Sequence, residues 1–275
     1  MSKYSPLPMM PINPNPLVQR RIEHTSLRHR MLTGRWLQDL VDTIAEHIPA
    51  DRQAAWGVPD MSSNIFKAAS SSLCGLYREA PTIAVTETRD NQSAGLVGSE
   101  GLINRAGLWP LMQRVQFFTI GMRECFLRVD ITDDGKDLLY RIVTPDFVNT
   151  ESSAGDPSRP KKKKEMRLRY DEDLKKYEWT IDLLDISNPD NPRYEVFTIS
   201  QNGEIDKNVT EKYLKQNFSG ADYPYRDQNG VAFLPYSLYH AEIHGHLFDP
   251  FAMREVVAGA LTSATMYSFF VHLAR

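Results

Sequence analysis

Residues 109–149 constrain the fold more than any other stretch of the chain. The stretch opens with apolar residues at helical spacing, namely Leu111, Val115, Phe118 and Met122. Gly121 fits the end of that helix, and apolar and polar residues then alternate along 124–131. A turn at 133–136 leads into a returning strand that starts at Leu138. The pattern predicts a helix followed by a β-hairpin whose strands are buried on one face.

Composition narrows the class of protein. A chain of 275 residues with 41% hydrophobic content can bury one good-sized core or two modest ones. The net charge of −3 argues against a uniformly basic nucleic-acid binder, although it is compatible with a basic strip on an acidic body. Cys74 and Cys125 stand in apolar patterns, which predicts buried free thiols rather than a disulfide. The first residues lack the basic and then apolar pattern of a signal peptide.

The chain divides into three parts. Residues 1–24 are predicted to form an extended, proline-rich arm, because five prolines within them disfavour regular structure. Residues 25–248 are predicted to form one α+β domain. Residues 249–275 are predicted to form a closing helix that begins at Asp249 or Pro250.

Two helices are predicted in the first part of the α+β domain. One spans 25–48 and is stopped by Pro49. The other is capped by Asp60 or Ser62 and runs as far as Pro81. The apolar spacing predicts that this second helix has one buried face, made of Ile65, Ala69, Leu73 and Leu76.

The second half of the domain is predicted to be mainly β. Residues 151–164 have the composition of an exposed basic loop. Three alternating segments follow, at 166–170, 177–183 and 194–199, and they predict an antiparallel meander with one dry and one wet face. A last strand-like run at 231–239 carries Pro235, which favours the edge of a sheet.

A basic cluster is the candidate for contact with nucleic acid. It is made of Lys161, Lys162, Lys163, Lys164, Arg167 and Arg169. A run of lysines is most often a solvated loop. The functional alternative is sequence-independent contact with DNA phosphates, which weakens as salt is added. The two interpretations stand side by side at this stage.

A histidine cluster is the candidate for a metal site. It contains His240, Glu242, His244, His246 and Asp249. Paired histidines bind zinc when one helix or strand presents both of them. Here His240 and His244 have helical spacing, whereas His244 and His246, on either side of Gly245, have strand spacing, so no single regular element presents all three. One alternative function is therefore a metal-dependent hydrolase that uses His240, His244 and His246. No nucleotide-binding or nucleophile-elbow motif is present, so the preferred interpretation is a protein without catalytic residues or cofactor.

The closing helix raises the question of a membrane anchor. Residues 256–274 carry no formal charge and reach the length at which a membrane span becomes feasible. They also contain several hydroxyl residues and a histidine, and they lack the dense aliphatic content of a typical span. A helix packed between protein neighbours is preferred, and a membrane-associated scaffold anchored by 256–274 is the alternative.

The order of these segments resembles that of portal proteins, the head-to-tail connectors of tailed bacteriophages. The resemblance spans residues 27–275 and rests on a succession of elements. These are a leading helix, a second helix at 64–81, the helix, glycine and hairpin unit that ends in Thr144, Pro145 and Asp146, a β meander, the apolar and proline step at 233–236, and a final helix rich in small residues. It implies an α+β fold, namely a portal-like wing domain with N-terminal helices, a helix–β-hairpin unit, an antiparallel β meander and a C-terminal stem-type helix.

The resemblance also implies a function. Portal proteins form rings, usually of twelve copies, at one capsid vertex, through which double-stranded DNA enters and leaves and to which the tail is joined. Their partners are the packaging ATPase (terminase), the major capsid protein and tail adaptor proteins. They are found in the virion, and in the host cytoplasm during assembly. Portal proteins commonly continue into clip and crown regions, so the resemblance implies that this sequence ends before them.

Overall fold

A computed structural model describes residues 16–53, 59–79, 81, 101–132, 136–153, 156–171, 173–200, 204–218, 221–241 and 253–273. In these ranges the protein combines helices with antiparallel sheets, as the α+β prediction requires. The helices are α1 Pro16–Thr33, α2 Leu37–Ala45, α3 Ala50–Gln53, α4 Ile65–Leu73, α5 Leu102–Arg105, α6 Leu108–Met122, α7 Thr210–Phe218 and α8 Arg254–Leu273. The strands are β1 Glu124–Ile131, β2 Leu138–Val143, β3 Val148–Ser153, β4 Asp156–Asp171, β5 Lys176–Asp185, β6 Arg193–Ile199, β7 Ile205–Asn208 and β8 Tyr236–His240.

The first helix begins earlier and ends earlier than predicted. Pro16 opens α1, so the prediction of an extended arm is wrong for residues 16–24, and residues 1–15 lie outside the described ranges. Proline suits the first helical position because its fixed φ is helical and its missing N–H would have no partner there. The single helix predicted at 25–48 is in fact two, because Gly34 adopts a left-handed conformation (φ +76°) between α1 and α2.

Helix α4 differs from its prediction in both its cap and its buried face. Neither Asp60 nor Ser62 caps it, because the side chain of Asn64 accepts the hydrogen bond from the Lys67 N–H. Phe66 is fully buried against the helical core, whereas the predicted buried face is exposed. The helix ends at Leu73, well before Pro81.

Gly121 was predicted to end a helix, and this prediction is wrong. The residue instead allows two helices to approach closely. It lies inside α6, which ends at Met122, and Arg123 follows in a left-handed conformation. A Cβ atom built on Gly121 would lie 2.6 Å from Cδ1 of Leu32 in α1. Only a residue without a side chain fits that gap. The helix predicted within 109–122 is otherwise confirmed.

A three-stranded antiparallel sheet follows α6 in the order β2, β1, β8. The predicted hairpin is confirmed for its two strands, which pair from Phe126 with Val143 to Ile131 with Leu138. The prediction that β1 is half-buried is wrong, because it is the central strand and both of its faces are covered. Strand β8 lies at the sheet edge directly after Pro235, as predicted.

A five-stranded antiparallel sheet has the order β3, β4, β5, β6, β7. The predicted meander is confirmed as β4, β5 and β6. The exposed loop predicted at 151–164 is wrong, because residues 151–153 belong to β3 and 156–164 to β4, and the two strands pair with each other. We call the sheet face that carries Met166 and Ile181 the outer face, and the opposite one the inner face. The first turns of α1 pack on the outer face, where Val18 and Ile22 join Met166.

The largest core lies among the helices and the three-stranded sheet. It is built around Trp36, Leu40, Phe66, Val115 and Leu127, all of them buried. Helix α8 contributes Val257, Ala260 and Ala264 to this core, whereas Ala258 and Gly259 are exposed. The predicted helix start at Asp249 or Pro250 lies outside the described residues, and α8 itself begins at Arg254. Of the two cysteines, both free, Cys125 is buried as predicted and Cys74 is only half-buried.

Candidate functional site

The four lysines predicted to contact DNA lie on β4 and differ widely in accessibility. Lys161 is exposed, and Lys162 and Lys164 are half-buried. Nζ of Lys162 lies 3.5 Å from a carboxylate oxygen of Glu151 and 3.8 Å from one of Asp185, which are its neighbours on β3 and β5. These are long, partly exposed ion pairs that leave the amine free to exchange partners.

Lys163 is the buried exception. Its side chain has no exposed surface, and its Nζ lies 3.4 Å from the ring centroids of both Phe126 and Tyr236. Burial lowers the pKa of this amine well below its usual range. Among the described residues no group accepts a hydrogen bond from it. An amine in this position has no path to a phosphate in solution, so the DNA-contact prediction stands for its three neighbours and not for Lys163.

Arg128 is the centre of a buried ionic cluster between the two sheets. It projects from β1 and is 1% exposed. Its Nη1 donates to Glu165 Oε2 at 3.0 Å and to Asp182 Oδ2 at 2.9 Å, which belong to β4 and β5. Its Nε donates to Asp130 Oδ1 at 3.0 Å. One guanidinium from the three-stranded sheet thus holds two carboxylates on the inner face of the five-stranded sheet. We call Arg128, Asp130, Glu165 and Asp182 the ionic centre.

Three phenols and two further arginines also form hydrogen bonds with the ionic centre. The partners are Tyr194, Tyr225 and Tyr236 and the guanidinium groups of Arg141 and Arg169. Arg169 donates to both oxygens of Asp182, at 2.7 and 2.5 Å. Arg141 donates to Glu165 Oε1 at 2.8 Å. Partners of this kind offset the desolvation cost of burying the charges.

The two arginines predicted to contact DNA belong to this region of the inner face. Arg169 is bound to Asp182, as described above. Arg167 lies farther out, with Nη1 3.8 Å from Asp130 Oδ2 and 3.9 Å from Asp182 Oδ2. Burial, and then repulsion by Arg169 and Arg141, lowers the pKa of Arg167 to about 10. Both arginines therefore face the three-stranded sheet, whereas Lys162 and Lys164 point to the outer face, so the structure does not gather the six predicted residues on one surface.

The electrostatics of the ionic centre favour fixed charges over proton transfer. Burial raises the pKa of the Glu165 carboxyl, but Arg128 and Arg141 outweigh it and the net shift is downward. Burial also raises the pKa of Asp182, but Arg169 and Arg128 lower it by more, so this pKa lies well below its usual range. Burial also raises the pKa of Tyr236 well above its usual value. At neutral pH the carboxylates are charged and the phenol is neutral, which suits a permanent connection between the sheets.

A second feature is an apolar surface on two adjacent helices. The face predicted to be buried is open to solvent, since Ile65 is 50% exposed, and Leu73 at the end of α4 and Leu76 in the turn after it are each 67% exposed. Helix α8 lies against α4 and exposes Met266 (54%) and Phe270 (64%). We call these five side chains the apolar helix surface. Large uncovered apolar side chains on neighbouring helices are typical of a surface that another protein covers.

The predicted metal site falls mostly outside the described residues. His240 is the last residue of β8 and pairs with Glu124 of β1, whereas Glu242, His244, His246 and Asp249 lie in the undescribed segment 242–252. Within the described ranges no three His, Cys, Asp or Glu side chains are grouped so that they could hold a metal ion. Among the described helices, α8 included, none has the length and apolar character needed to cross a membrane.

Sequence reasoning missed the ionic centre. Arg128 and Asp130 occupy the positions of β1 that the alternation assigned to a wet face, and Asp182 does the same in β5. The available signal was that charged residues stand on the predicted wet faces of three strands, with Arg128 on one strand and Glu165 and Asp182 of opposite sign on the other two. A pattern of this kind also fits solvated strands, so it could not be assigned from sequence.

No family model matches the chain, and no curated protein matches it.

Proposed function

We propose that this protein is a structural portal protein that assembles into a ring of identical copies, twelve in the typical member of that class, at one vertex of a viral capsid. Double-stranded DNA passes through the ring during packaging and ejection, and the ring joins head to tail. The partners in this proposal are the packaging ATPase, the major capsid protein and tail adaptor proteins. The sites of action are the virion and the host cytoplasm during assembly.

The observation that carries the proposal is the apolar helix surface. Leu73, Leu76 and Phe270 are each about two-thirds exposed in a single chain, and Ile65 and Leu73 have the spacing of one face of α4. Burying a side chain of this size contributes about 1.5–3 kcal/mol. Several such groups on adjacent helices therefore favour association with another protein. Identical copies are available as partners wherever the chain is made.

The order of the elements supports the same proposal. The N-terminal helices come first, followed by α6 with the β1–β2 hairpin, the turn at Pro145–Phe147, the meander and the closing helix α8. This is the succession on which the resemblance to the wing domain and stem-type helix of portal proteins rests. The ionic centre adds a rigid connection between the two sheets, which suits a protein whose role is mechanical.

The charge distribution suits DNA that slides through a ring. Lys161, Lys162 and Lys164 can reach phosphates weakly, and the chain as a whole carries a charge of −3. Sparse lysines on an acidic body give weak contacts that fade as salt rises. Strong retention of DNA would hinder its passage.

The test is the mass and shape of the purified full chain. Multi-angle light scattering should give a mass of many subunits, and negative-stain electron microscopy should show rings with a central hole. A single mass of one chain across the accessible concentration range, with no rings in the images, would contradict the proposal. A closed dimer would contradict it as well, because two copies leave no channel for DNA.

A further inference from the structure

The region around the ionic centre holds more positive than negative charge. Among the described residues, the three carboxylates of the ionic centre meet four guanidinium groups, which are those of Arg128, Arg141, Arg167 and Arg169. A partly enclosed place lined by an excess of one charge attracts ions of the opposite sign from solution. The excess of guanidinium groups therefore favours an anion.

Arg167 is the guanidinium group for which the carboxylates leave no close partner. Both oxygens of Asp182 already accept hydrogen bonds from Arg169, and Arg128 donates to one of them as well. Among the described residues, the carboxylate oxygens nearest to Arg167 lie 3.8 and 3.9 Å from its Nη1, which is beyond hydrogen-bond distance. Repulsion by Arg169 and Arg141 adds to burial in lowering the pKa of Arg167. This side chain is therefore able to accept a further negative partner.

Arg141 lies next to Arg167 at the more exposed side of the same region. Its Nη2 is 3.9 Å from Asp130 Oδ2, and Nη1 of Arg167 is 3.8 Å from that same oxygen, so the two guanidinium groups lie close together. The side chains of Arg141 and Arg167 are 27% and 21% exposed, whereas that of Asp130 is 10% exposed. Both arginines therefore reach solvent. We call Arg141 and Arg167 the arginine pair.

We propose that the arginine pair binds a phosphate group between the two sheets, where both side chains reach solvent. The guanidinium group presents several N–H donors in a planar fork that matches the oxygens of a phosphate. Two charge-assisted hydrogen bonds of about 2.8 Å, with one phosphate group between them, can connect two neighbouring guanidinium groups. Asp130 is an unfavourable neighbour for an anion, but Arg128 offsets its charge by donating to its other oxygen at 3.0 Å.

The phosphate group in this proposal belongs either to a free ion or to the backbone of DNA, which share the chemistry that the arginine pair recognises. The inference does not rest on the proposed function, because a single chain contains the complete site. It also differs from the lysine contacts described above, since Lys162 and Lys164 point to the opposite face of the five-stranded sheet.

Calorimetric titration of inorganic phosphate into the full chain, at constant ionic strength, tests the site. We expect saturable binding of one phosphate per chain, which chloride at the same ionic strength does not reproduce. Arg167→Gln should weaken phosphate binding at least tenfold, because it removes one of the two charged partners. Arg193→Gln is the matched control, since Arg193 is an exposed arginine at the start of β6 in the same sheet, and it should leave the affinity unchanged.

The stability of Arg167→Gln separates an anion site from a structural ion pair. Without phosphate, the urea midpoint of this variant should equal or exceed that of the unaltered chain, because the substitution removes a charge that Arg169 and Arg141 repel. Phosphate should raise the midpoint of the unaltered chain and not that of the variant. Arg167→Lys, which keeps the charge and loses the planar fork, should weaken binding by a smaller factor.

Absence of saturable phosphate binding by the unaltered chain would overturn the proposal. Equal affinities of Arg167→Gln and Arg193→Gln would overturn it too. A further titration, with duplex DNA already bound, identifies the source of the phosphate group. Loss of phosphate binding in the presence of DNA would assign the arginine pair to the DNA backbone, and an unchanged affinity would assign it to the free ion. Ring formation is measured separately, so its failure would not alter these results.

Discussion

Glu165 on β4 accepts a hydrogen bond from Arg128 on β1 at 3.0 Å, and this contact connects two sheets that share no strand. The same carboxylate accepts a bond from Arg141 through its other oxygen. Arg128 and Arg141 stand directly opposite each other in the β1–β2 ladder, an arrangement that like charges normally disfavour. Glu165 offsets the repulsion because each of its two oxygens accepts a hydrogen bond from one of the guanidinium groups.

Removing Arg128 should destabilise the protein strongly. Arg128→Met leaves Glu165 and Asp182 buried with too little positive charge, and the loss of one partner of a buried ion pair costs about 3–5 kcal/mol. The free energy of unfolding in urea measures this. Arg105→Met is the control, since its ion pair with Asp137 is exposed and should contribute less than about 1 kcal/mol. Similar losses in the two variants would show that the ionic centre does not connect the sheets.

The buried carboxylates should make stability depend on acid. The pKa of Asp182 is lowered in the folded state, because Arg169 and Arg128 outweigh burial, whereas the unfolded value lies near 3.8. The folded state then binds fewer protons than the unfolded one, so this stabilisation is present above the unfolded pKa and is lost as pH falls toward the folded value. We expect the free energy of unfolding to decline below about pH 4.

The variant Asp182→Asn should lose stability at pH 7 and show a shallower decline in acid. Denaturant titrations at several pH values between 2 and 7 measure both effects. Asp190→Asn is the matched control, because Asp190 is exposed in the turn after β5 and should leave the pH profile unchanged. A profile that is equally steep in Asp182→Asn and in the unaltered chain would assign the acid dependence to other carboxylates.

Two glycines on helices should respond in opposite directions to alanine. Gly121→Ala forces a methyl group to within 2.6 Å of a Leu32 methyl carbon, and overpacking of this kind costs about 1–3 kcal/mol. Gly259→Ala on α8 meets no atom within 4 Å and should gain up to about 1 kcal/mol from helix propensity. Thermal melting and urea unfolding of both variants check the sign. A gain at Gly121 would mean that α1 and α6 are not packed as described.

A charge on the apolar helix surface should weaken self-association. Leu73→Asp places a carboxylate where the proposal requires burial against another copy, so the mass measured by light scattering should fall while the circular dichroism spectrum stays unchanged. Leu174→Asp is the control, because Leu174 is also a largely exposed leucine but lies in the β4–β5 turn, far along the chain from α4. Equal masses for the two variants would argue against α4 as a contact between copies.

Substitution of an accessible lysine should weaken DNA binding, whereas substitution of the buried Lys163 should not. Lys161→Gln should weaken binding to duplex DNA and reduce the slope of log affinity against log salt by about 0.9, the value for one lost phosphate contact. Lys163→Met should leave affinity and slope unchanged, because the amine is enclosed by Phe126 and Tyr236. It should also keep or raise the free energy of unfolding, since an apolar group replaces a buried amine. Fluorescence anisotropy over a range of salt concentrations measures the binding.

Local alternation was sufficient to predict the hairpin, the meander and the edge strand. In β2 an apolar residue recurs at every second position, at Leu138, Tyr140 and Ile142. Pro235 indicates the edge position of β8 because proline has no N–H to donate to a neighbouring strand. These signals lie within a few residues of each other. No partner from a distant segment is needed to interpret them.

The features that were missed depend on distant partners. Lysines 161–164 have the local chemistry of a loop, yet they form a strand because β3 and β5 pair with it on both sides. Gly121 looked like a helix end, and its real role depends on Leu32, 89 positions earlier in the chain. The apolar periodicity of Ile65 and Leu73 does lie on α4, but the prediction that this face is buried is wrong, because both side chains are exposed to solvent in the single chain.

The ionic centre has a mechanical consequence for the molecule. To shift the five-stranded sheet sideways by one residue, Glu165 and Asp182 would both have to leave Arg128 at once while still enclosed by protein, and water could not replace it during the move. Apolar contacts between two sheets are not directional and would permit gradual sliding under load. Charges locked in register resist shear until they fail together, so force applied to one sheet is transmitted to the other with little yield.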